Sequence, residues 1–191
     1  MSLVIKLGPM FSGKSTWLNK ELTKLSDGGF KVVKIIHIDD SRYDNISGSY
    51  HHSSFYELND KITVIKTPTL LNLNLDYFEI IGIDESNFFE DLKLFVIKEL
   101  KNNKNLKVVG LDGDYKQEKF GQLLDIIPYA NKITKLTSLC ELCIQNHIPN
   151  QNINLNNFTA YYTKKKINNN IQKEVGDKNL YTPVCFYHLN N

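Results

Sequence analysis

The sequence predicts an α/β fold, a mainly parallel sheet with helices on both faces. Three observations carry that expectation. Short, nearly continuous apolar runs recur along the chain, as strands buried on both faces require. Helical or irregular stretches separate them, which is the alternation of βα units. A glycine-containing turn joins the first apolar run to the first helical one.

The predicted strands are 3–7, 31–38, 62–66, 78–83 and 106–111, all rich in Val, Ile and Leu. The predicted helices are 16–26, about 91–102 and about 120–128. The first has Trp17, Leu18, Leu22 and Leu25 at helical spacing and a stop at Gly28-Gly29. No internal repeat is present. After about Leu136 the character changes. A cysteine pair is followed by an asparagine-rich stretch, a lysine run at Lys164, Lys165 and Lys166, and a cysteine/histidine terminus. This predicts a main domain of residues 1–137 and a small metal-stapled module of residues 138–191. The asparagine-rich stretch, within 146–157, reads as a solvated insertion without assigned function.

Composition bounds the function. With 191 residues and 41% hydrophobic content, the chain can build one core with a small appendage. A net charge of +2 gives no reason to expect a nucleic-acid or membrane partner. No apolar run reaches the ~20 residues that span a bilayer. A strand beginning at residue 3 leaves no room for a leader, so the expected location is the cytoplasm. Three cysteines, clustered late, point to a reducing compartment and a metal rather than disulfides.

The turn after the first strand carries the strongest chemical signal. Gly8, Pro9, Met10, Phe11, Ser12, Gly13, Lys14 and Ser15 satisfy the phosphate-loop pattern G-x-x-x-x-G-K-S/T at every required position. The strand before it and the helix after it supply the context in which backbone N–H groups cradle phosphate oxygens. Lys14 then neutralises the β- and γ-phosphates, and the Ser15 hydroxyl is a ligand for Mg²⁺ beside bound ATP. The fold expectation narrows to a P-loop NTPase-like sheet.

The fourth predicted strand ends in Asp84 and Glu85, where a phosphate-loop protein keeps its second metal carboxylate. Asp84 is the candidate for Mg²⁺, and Glu85, pointing elsewhere, is available as a base. Asp40 and Arg42 follow the second strand. The arginine either reaches the triphosphate or forms a surface ion pair, and spacing leaves both readings open. Cys140-x-x-Cys143 and Cys185-x-x-His188 form two ligand pairs far apart in sequence. Such spacing suits a closed, structural Zn²⁺ site.

Taken together, these residues resemble the thymidine kinase family of the zinc-containing cellular and poxviral type. Residues 8–16 are similar to its phosphate loop, residues 83–89 to its Asp-Glu-x-x-Phe-Phe segment, and residues 110–115 with Phe120-Gly121 to its Leu-Asp-Gly stretch. Lys135-Leu-Thr, the Cys140 pair and Tyr181-x-Pro-Val-Cys185 complete the order, so the resemblance runs from about residue 3 to 188.

The resemblance implies ATP-dependent phosphorylation of thymidine, with Glu85 as general base and Ser86 and Asn87 beside the nucleotide. It implies that Phe88, Leu111, Tyr115 and Phe120 line the base pocket. A lasso between the zinc pairs would grip thymidine, with Thr163, Gln172, Lys173, Glu174, Val175, Gly176 and Tyr181 at its contacts. It also implies a homotetramer inhibited by the end product dTTP. The chain departs from the family pattern at His188, where cysteine is usual, at Tyr115, at Asn87 and in the lasso turn at 175–177. Two other classes fit parts of the sequence: a phosphate-loop ATPase driving a partner, and a zinc-knuckle module binding nucleic acid through Tyr161 and the lysine run.

Overall fold

The computed structural model describes residues 1–40, 58, 60–146, 158–166 and 179–191. Arg42, the five lasso residues from Gln172 to Gly176 and nearly all of the asparagine-rich insertion lie outside the described residues.

The main sheet has six parallel strands. In chain order they are β1 (Ser2–Leu7), β2 (Val32–His37), β3 (Thr63–Thr67), β4 (Ile80–Ile83), β5 (Asn105–Gly110) and β6 (Lys132–Lys135). Their spatial order is β3-β2-β4-β5-β1-β6. Helix α1 (Lys14–Asp27) packs Leu18 and Leu22 on Val32, Ile80 and Val109. Helix α2 (Leu92–Lys101) and the 3-10 segment Leu123–Tyr129 pack Phe95, Val96, Leu123 and Ile126 on Val33, Ile35, Ile81 and Ile83. Alternate residues of β2 and β4 therefore face opposite layers. Their continuous apolar runs follow from that, because neither face meets water.

The predicted strands and first two helices agree with the structure to within two residues at each end, a normal scatter. Gly28-Gly29 stops α1 through paired bonds, Gly29 N–H to Ser26 O and Phe30 N–H to Leu25 O, with Gly29 at φ 91°. This is a Schellman turn. The third predicted helix is corrected: residues 123–129 are a 3-10 segment containing Pro128. Proline removes an N–H and crowds the preceding turn, so α-helix cannot run through it. Strand β6 was not anticipated. It sits at the sheet edge with mostly exposed side chains, so it lacks the apolar run that marks an inner strand.

Beyond β6 come two small antiparallel pairs. One is β7 (Ser138–Leu139) with β8 (Thr159–Ala160), and the other is β9 (Tyr162–Lys165) with β10 (Tyr181–Val184). Both ends of the segment read as lasso are thus strand, although its sequence shows no clear period. Helices α3 (Glu141–Gln145) and α4 (Phe186–Asn190) complete this region. Among the described residues its buried apolar cluster is Cys140, Ala160 and Val184, with Leu142, Tyr162 and Leu189 packed against it.

Candidate active site and metal centre

The loop between β1 and α1 has the shape its sequence requires. Gly8 takes φ 152°, and a Cβ there would stand 2.4 Å from the carbonyl oxygen of Leu136. Only glycine allows that approach. Gly13 caps α1 in the left-handed region (φ 80°) with no side-chain acceptor for the first-turn N–H groups. The N-terminus of a helix presents its first-turn N–H groups, and its dipole favours an anion there. The Lys14 ammonium is nearly buried and folds back on the loop, 3.1 Å from the Gly8 carbonyl and 2.7 Å from that of Pro9. Ser12 Oγ donates to the Pro9 carbonyl at 2.8 Å.

The end of β4 meets this loop. Ser15 Oγ donates to Asp84 Oδ1 at 2.9 Å, and the Glu85 N–H donates to the same oxygen at 3.0 Å. Asp84 is 1% exposed, and its Oδ2 lies 3.0 Å from Lys34 Nζ, which is itself fully buried. Lys34 also donates to Asn19 Oδ1 at 2.7 Å. Ser15 and Asp84 together offer hard oxygen donors beside a phosphate loop. That donor set suits Mg²⁺, which takes one or two protein oxygens and completes its shell with phosphate and water.

Glu85 adopts φ 45°, ψ 44°, a left-handed conformation that is costly for a residue with a Cβ. Its backbone turns sharply there and leads into the 3-10 segment Ser86–Phe88, which starts with the Phe88 N–H bonded to the Glu85 carbonyl. The carboxylate is partly exposed beside a buried Asp84.

Ser86 and Asn87 are buried, at 0% and 1% exposure, with their side chains against Gly110. Asn87 Oδ1 accepts the Leu111 N–H at 3.1 Å. Their side chains brace β5 from behind the site. Phe88 meets Phe120 edge-on at 5.4 Å and stacks on His37 at 5.7 Å. A cavity of ≈ 400 Å³ adjoins Phe88, lined by His37 and by Asp39, Glu90 and Asp91. Its acidic lining does not suit phosphate. Asp40 is buried at the end of β2, its N–H bonded to the His37 carbonyl.

The C-terminal strands close on the loop. The Met10 N–H donates to Thr163 Oγ1 at 3.0 Å, and Ser138 Oγ donates to the Phe11 carbonyl at 3.1 Å. Lys165 Nζ stands between Tyr115 and Tyr181, 5.1 and 5.7 Å from their ring centres. Thr163 thus touches the loop directly, Tyr115 and Tyr181 flank Lys165, and Phe88 and Phe120 form a separate aromatic pair.

Cys140, Cys143, Cys185 and His188 converge. His188 Nδ1 lies 3.4, 3.3 and 3.5 Å from the sulfurs of Cys140, Cys143 and Cys185, and the last two sulfurs are 3.7 Å apart. A tetrahedral ion with bonds of about 2.3 Å to sulfur and about 2.0 Å to nitrogen spaces its ligands by roughly 3.5–3.8 Å. The group therefore fits zinc. Each ligand pair sits on the start of a short helix: Cys140 and Cys185 are the N-cap residues of α3 and α4, and Cys143 and His188 follow one turn later. The three thiols form no disulfide.

Crowding these thiols perturbs them. Burial, then hydrogen bonds from Cys140 and Cys185 and their charge, raise the Cys143 pKa to about 12. Burial also pushes the Cys185 thiol up, but hydrogen bonds from the His188 backbone, Cys143, Cys140 and the Tyr187 backbone outweigh it and leave the net shift downward. Zinc held by Cys140, Cys143, Cys185 and His188 would bind the three cysteines as thiolates.

Sequence reasoning missed Lys34, Asn19, His37 and Lys165. For Lys34 a signal existed: a lysine inside the run Val32–His37 has apolar neighbours on both sides and no exposed face to occupy.

The comparisons with known proteins agree with this geometry. The family model described as thymidine kinase matches residues 1–189. The thymidine kinase of Choristoneura fumiferana entomopoxvirus is 36% identical, over 100% of this chain and 98% of its own length. The rice thymidine kinase is 35% identical over 95% of this chain and 64% of its own length. The cytosolic thymidine kinase of Bos taurus is 31% identical over 94% of this chain and 68% of its own length. With the family model matched over nearly all of its length and a relative 36% identical over the whole of it, the chain belongs to the thymidine kinase family and is a transferase of that kind.

Proposed function

We propose that this chain transfers the γ-phosphoryl group of ATP to the 5′-hydroxyl of thymidine, giving dTMP and ADP. The observation that carries this reading is the Ser15–Asp84 hydrogen bond. It joins the phosphate loop to the end of β4 and leaves the neighbouring Glu85 carboxylate partly exposed at the same place.

In this reading the amides of residues 8–15 and the first turn of α1 bind the triphosphate. Lys14 exchanges its loop carbonyls for phosphate oxygens and offsets the charge on the transferring group. Ser15 and Asp84 hold Mg²⁺, which supplies charge neutralisation at the phosphates when bound. Glu85 accepts the proton of the 5′-hydroxyl. A carboxylate needs only to lie within hydrogen-bond reach of that hydroxyl, and its sharp backbone turn aims it away from the metal side. Asp40 and Arg42 belong to the nucleotide side, and Ser86 and Asn87 support it from behind.

Phe88, Leu111, Tyr115 and Phe120 form the base pocket, where the ring faces stack on a pyrimidine. Thr163, Tyr181 and residues 172–176 close over it as a lasso. Zn²⁺ on Cys140, Cys143, Cys185 and His188 is structural, since protein fills all four positions. The division into a nucleotide-binding domain (1–137) and a zinc and lasso domain (138–191), a homotetrameric assembly, inhibition by dTTP and a cytoplasmic location complete the reading. Among the described residues, no helix is long and apolar enough to cross a membrane.

The test is a panel of deoxynucleosides with ATP and Mg²⁺, run on the native chain and on Glu85→Gln. Thymidine should be phosphorylated, and deoxycytidine should be a poor acceptor. Glu85→Gln should bind ATP and thymidine by calorimetry yet lose about 10²–10⁴ in rate. ATP hydrolysis that ignores thymidine would favour a partner-driving ATPase instead. A kcat within a few-fold of native would remove Glu85 as the base.

A further inference from the structure

Lys34 lies in the middle of β2 and is completely buried. Its neighbours along the strand are Val32, Val33, Ile35 and Ile36, so sheet packing gives no reason for a cation there. Desolvating an ammonium is costly, and apolar residues of similar volume often serve stability as well or better. What the lysine gains is geometric. It stands in register with Gly82 on β4, and Asp84, two residues on, lies on the same side of that strand. Ser15 and Asn19 lie one helical turn apart on α1. Ser15 holds one oxygen of Asp84 directly, at 2.9 Å. Asn19 holds the other through Lys34, by contacts of 2.7 and 3.0 Å. The carboxylate is therefore held from one face of α1 at both oxygens, Oδ1 by Ser15 and Oδ2 through Lys34.

We propose that Lys34 is a positioning residue for phosphoryl transfer. Its ammonium fixes the Asp84 carboxylate so that one oxygen faces Ser15, and it offsets part of the charge that a divalent cation would meet there. The proposal rests on the reading of Asp84 as the cation-holding carboxylate. It has a distinctive consequence. Removing the ammonium releases the carboxylate and exposes its full charge, so the metal–nucleotide complex binds more tightly while turnover slows.

The experiment uses the full chain in four forms: native, Lys34→Met, Asp84→Asn and the double variant, each checked for folding by circular dichroism. Binding of Mn²⁺·ADP is read by electron paramagnetic resonance, and turnover of thymidine by product formation. Lys34→Met should lose about 10- to 100-fold in kcat with the thymidine KM within two-fold, and should bind Mn²⁺·ADP roughly 3- to 10-fold more tightly. In the Asp84→Asn background the same change should leave Mn²⁺·ADP affinity unmoved, because the lysine acts through that carboxylate. An equal effect in both backgrounds, or none in either, would overturn the proposal.

Lys34→Met strands a buried carboxylate, so it can fail to fold. In that event Asn19→Leu, which loosens the clamp but keeps the ion pair, takes its place. It should give a 2- to 5-fold effect in the same directions, lost in the Asp84→Asn background, and an effect that persists there would overturn the idea. If Asp84→Asn alone leaves Mn²⁺·ADP binding and turnover unchanged, the reading of Asp84 fails first and this proposal falls with it.

Discussion

The nucleotide side and the metal centre hold charged groups by different means. At the nucleotide side, Lys14, Lys34 and Asp84 are buried at the edge of a large two-layer core; Lys34 pairs with Asp84, and Lys14 donates to the loop carbonyls of Gly8 and Pro9. The sheet provides the rigidity, and the charges are fitted into it. At the metal centre the fully buried apolar cluster among the described residues is Cys140, Ala160 and Val184, far smaller than the core beneath the sheet. There three cysteines and a histidine converge, and burial first, then hydrogen bonding with the neighbouring thiols, pushes the Cys143 thiol up to about 12. The same chain thus uses apolar burial to support charge in one place and charge to replace apolar burial in the other. Among the described residues the two meet through Met10 and Thr163, Phe11 and Ser138, and Tyr115 and Lys165.

This difference can be broken most sharply by removing the metal. Chelation should abolish thymidine turnover and strip hydrogen-exchange protection from β7, β8, β9 and β10, because zinc binding is folding free energy for such a module, of order 10 kcal/mol. Amides of β1, β2, β4 and β5 should keep their protection. Zinc recapture should be proton-coupled, weakening as pH falls and the thiols regain protons. A C-terminal region that stays protected without metal would show that it has an adequate apolar core after all.

Lys14→Ala should act the other way round, on chemistry and not on the module. Loss of a charge aimed at the transferring phosphate typically costs about 10²–10³ in rate, or roughly 3–4 kcal/mol. Zinc content and exchange protection in β7–β10 should not change. Near-native turnover in this variant would mean that the loop is not the catalytic nucleotide site.

A smaller effect should come from the base itself. Deoxyuridine lacks only the methyl group of thymidine, and one apolar group is worth about 10-fold in kcat/KM. Amides of residues 162–181 should gain protection when thymidine is added and gain none with deoxycytidine. Equal protection and equal turnover with both would mean that the lasso does not read the base.

The smallest effect should come from the seam. Thr163→Val removes the bond from the Met10 N–H and leaves a loop amide unpaired, worth about 1 kcal/mol, or roughly 5-fold. The loss should appear in kcat/KM with zinc retained. A loss of zinc on this substitution would show that the two regions are more tightly joined than their bonds suggest.

Much of this molecule is legible along the chain because its signals are local. The phosphate loop is eight consecutive residues whose glycines, lysine and serine each answer a nearby steric or electrostatic demand. The inner strands are visible because burial on two faces leaves a nearly continuous apolar run. The four metal ligands are visible as two x-x spacings, and the structure sets each pair on the start of a short helix. Strand β6 and the strand ends of the lasso were not legible, since edge and two-stranded elements bury too little to leave a pattern.

The sequence by itself determined the α/β alternation, the phosphate loop, the carboxylates after β4 and the Cys₃His set. Each follows from side chains acting on their own neighbours. Only the tertiary structure decided that Lys34 clamps Asp84, that Lys165 stands between Tyr115 and Tyr181, and that Thr163 reaches the loop amide of Met10. These contacts join residues 50, 50, 16 and 153 positions apart. Over such separations spacing carries no information, and partners are selected by which strands the sheet places side by side.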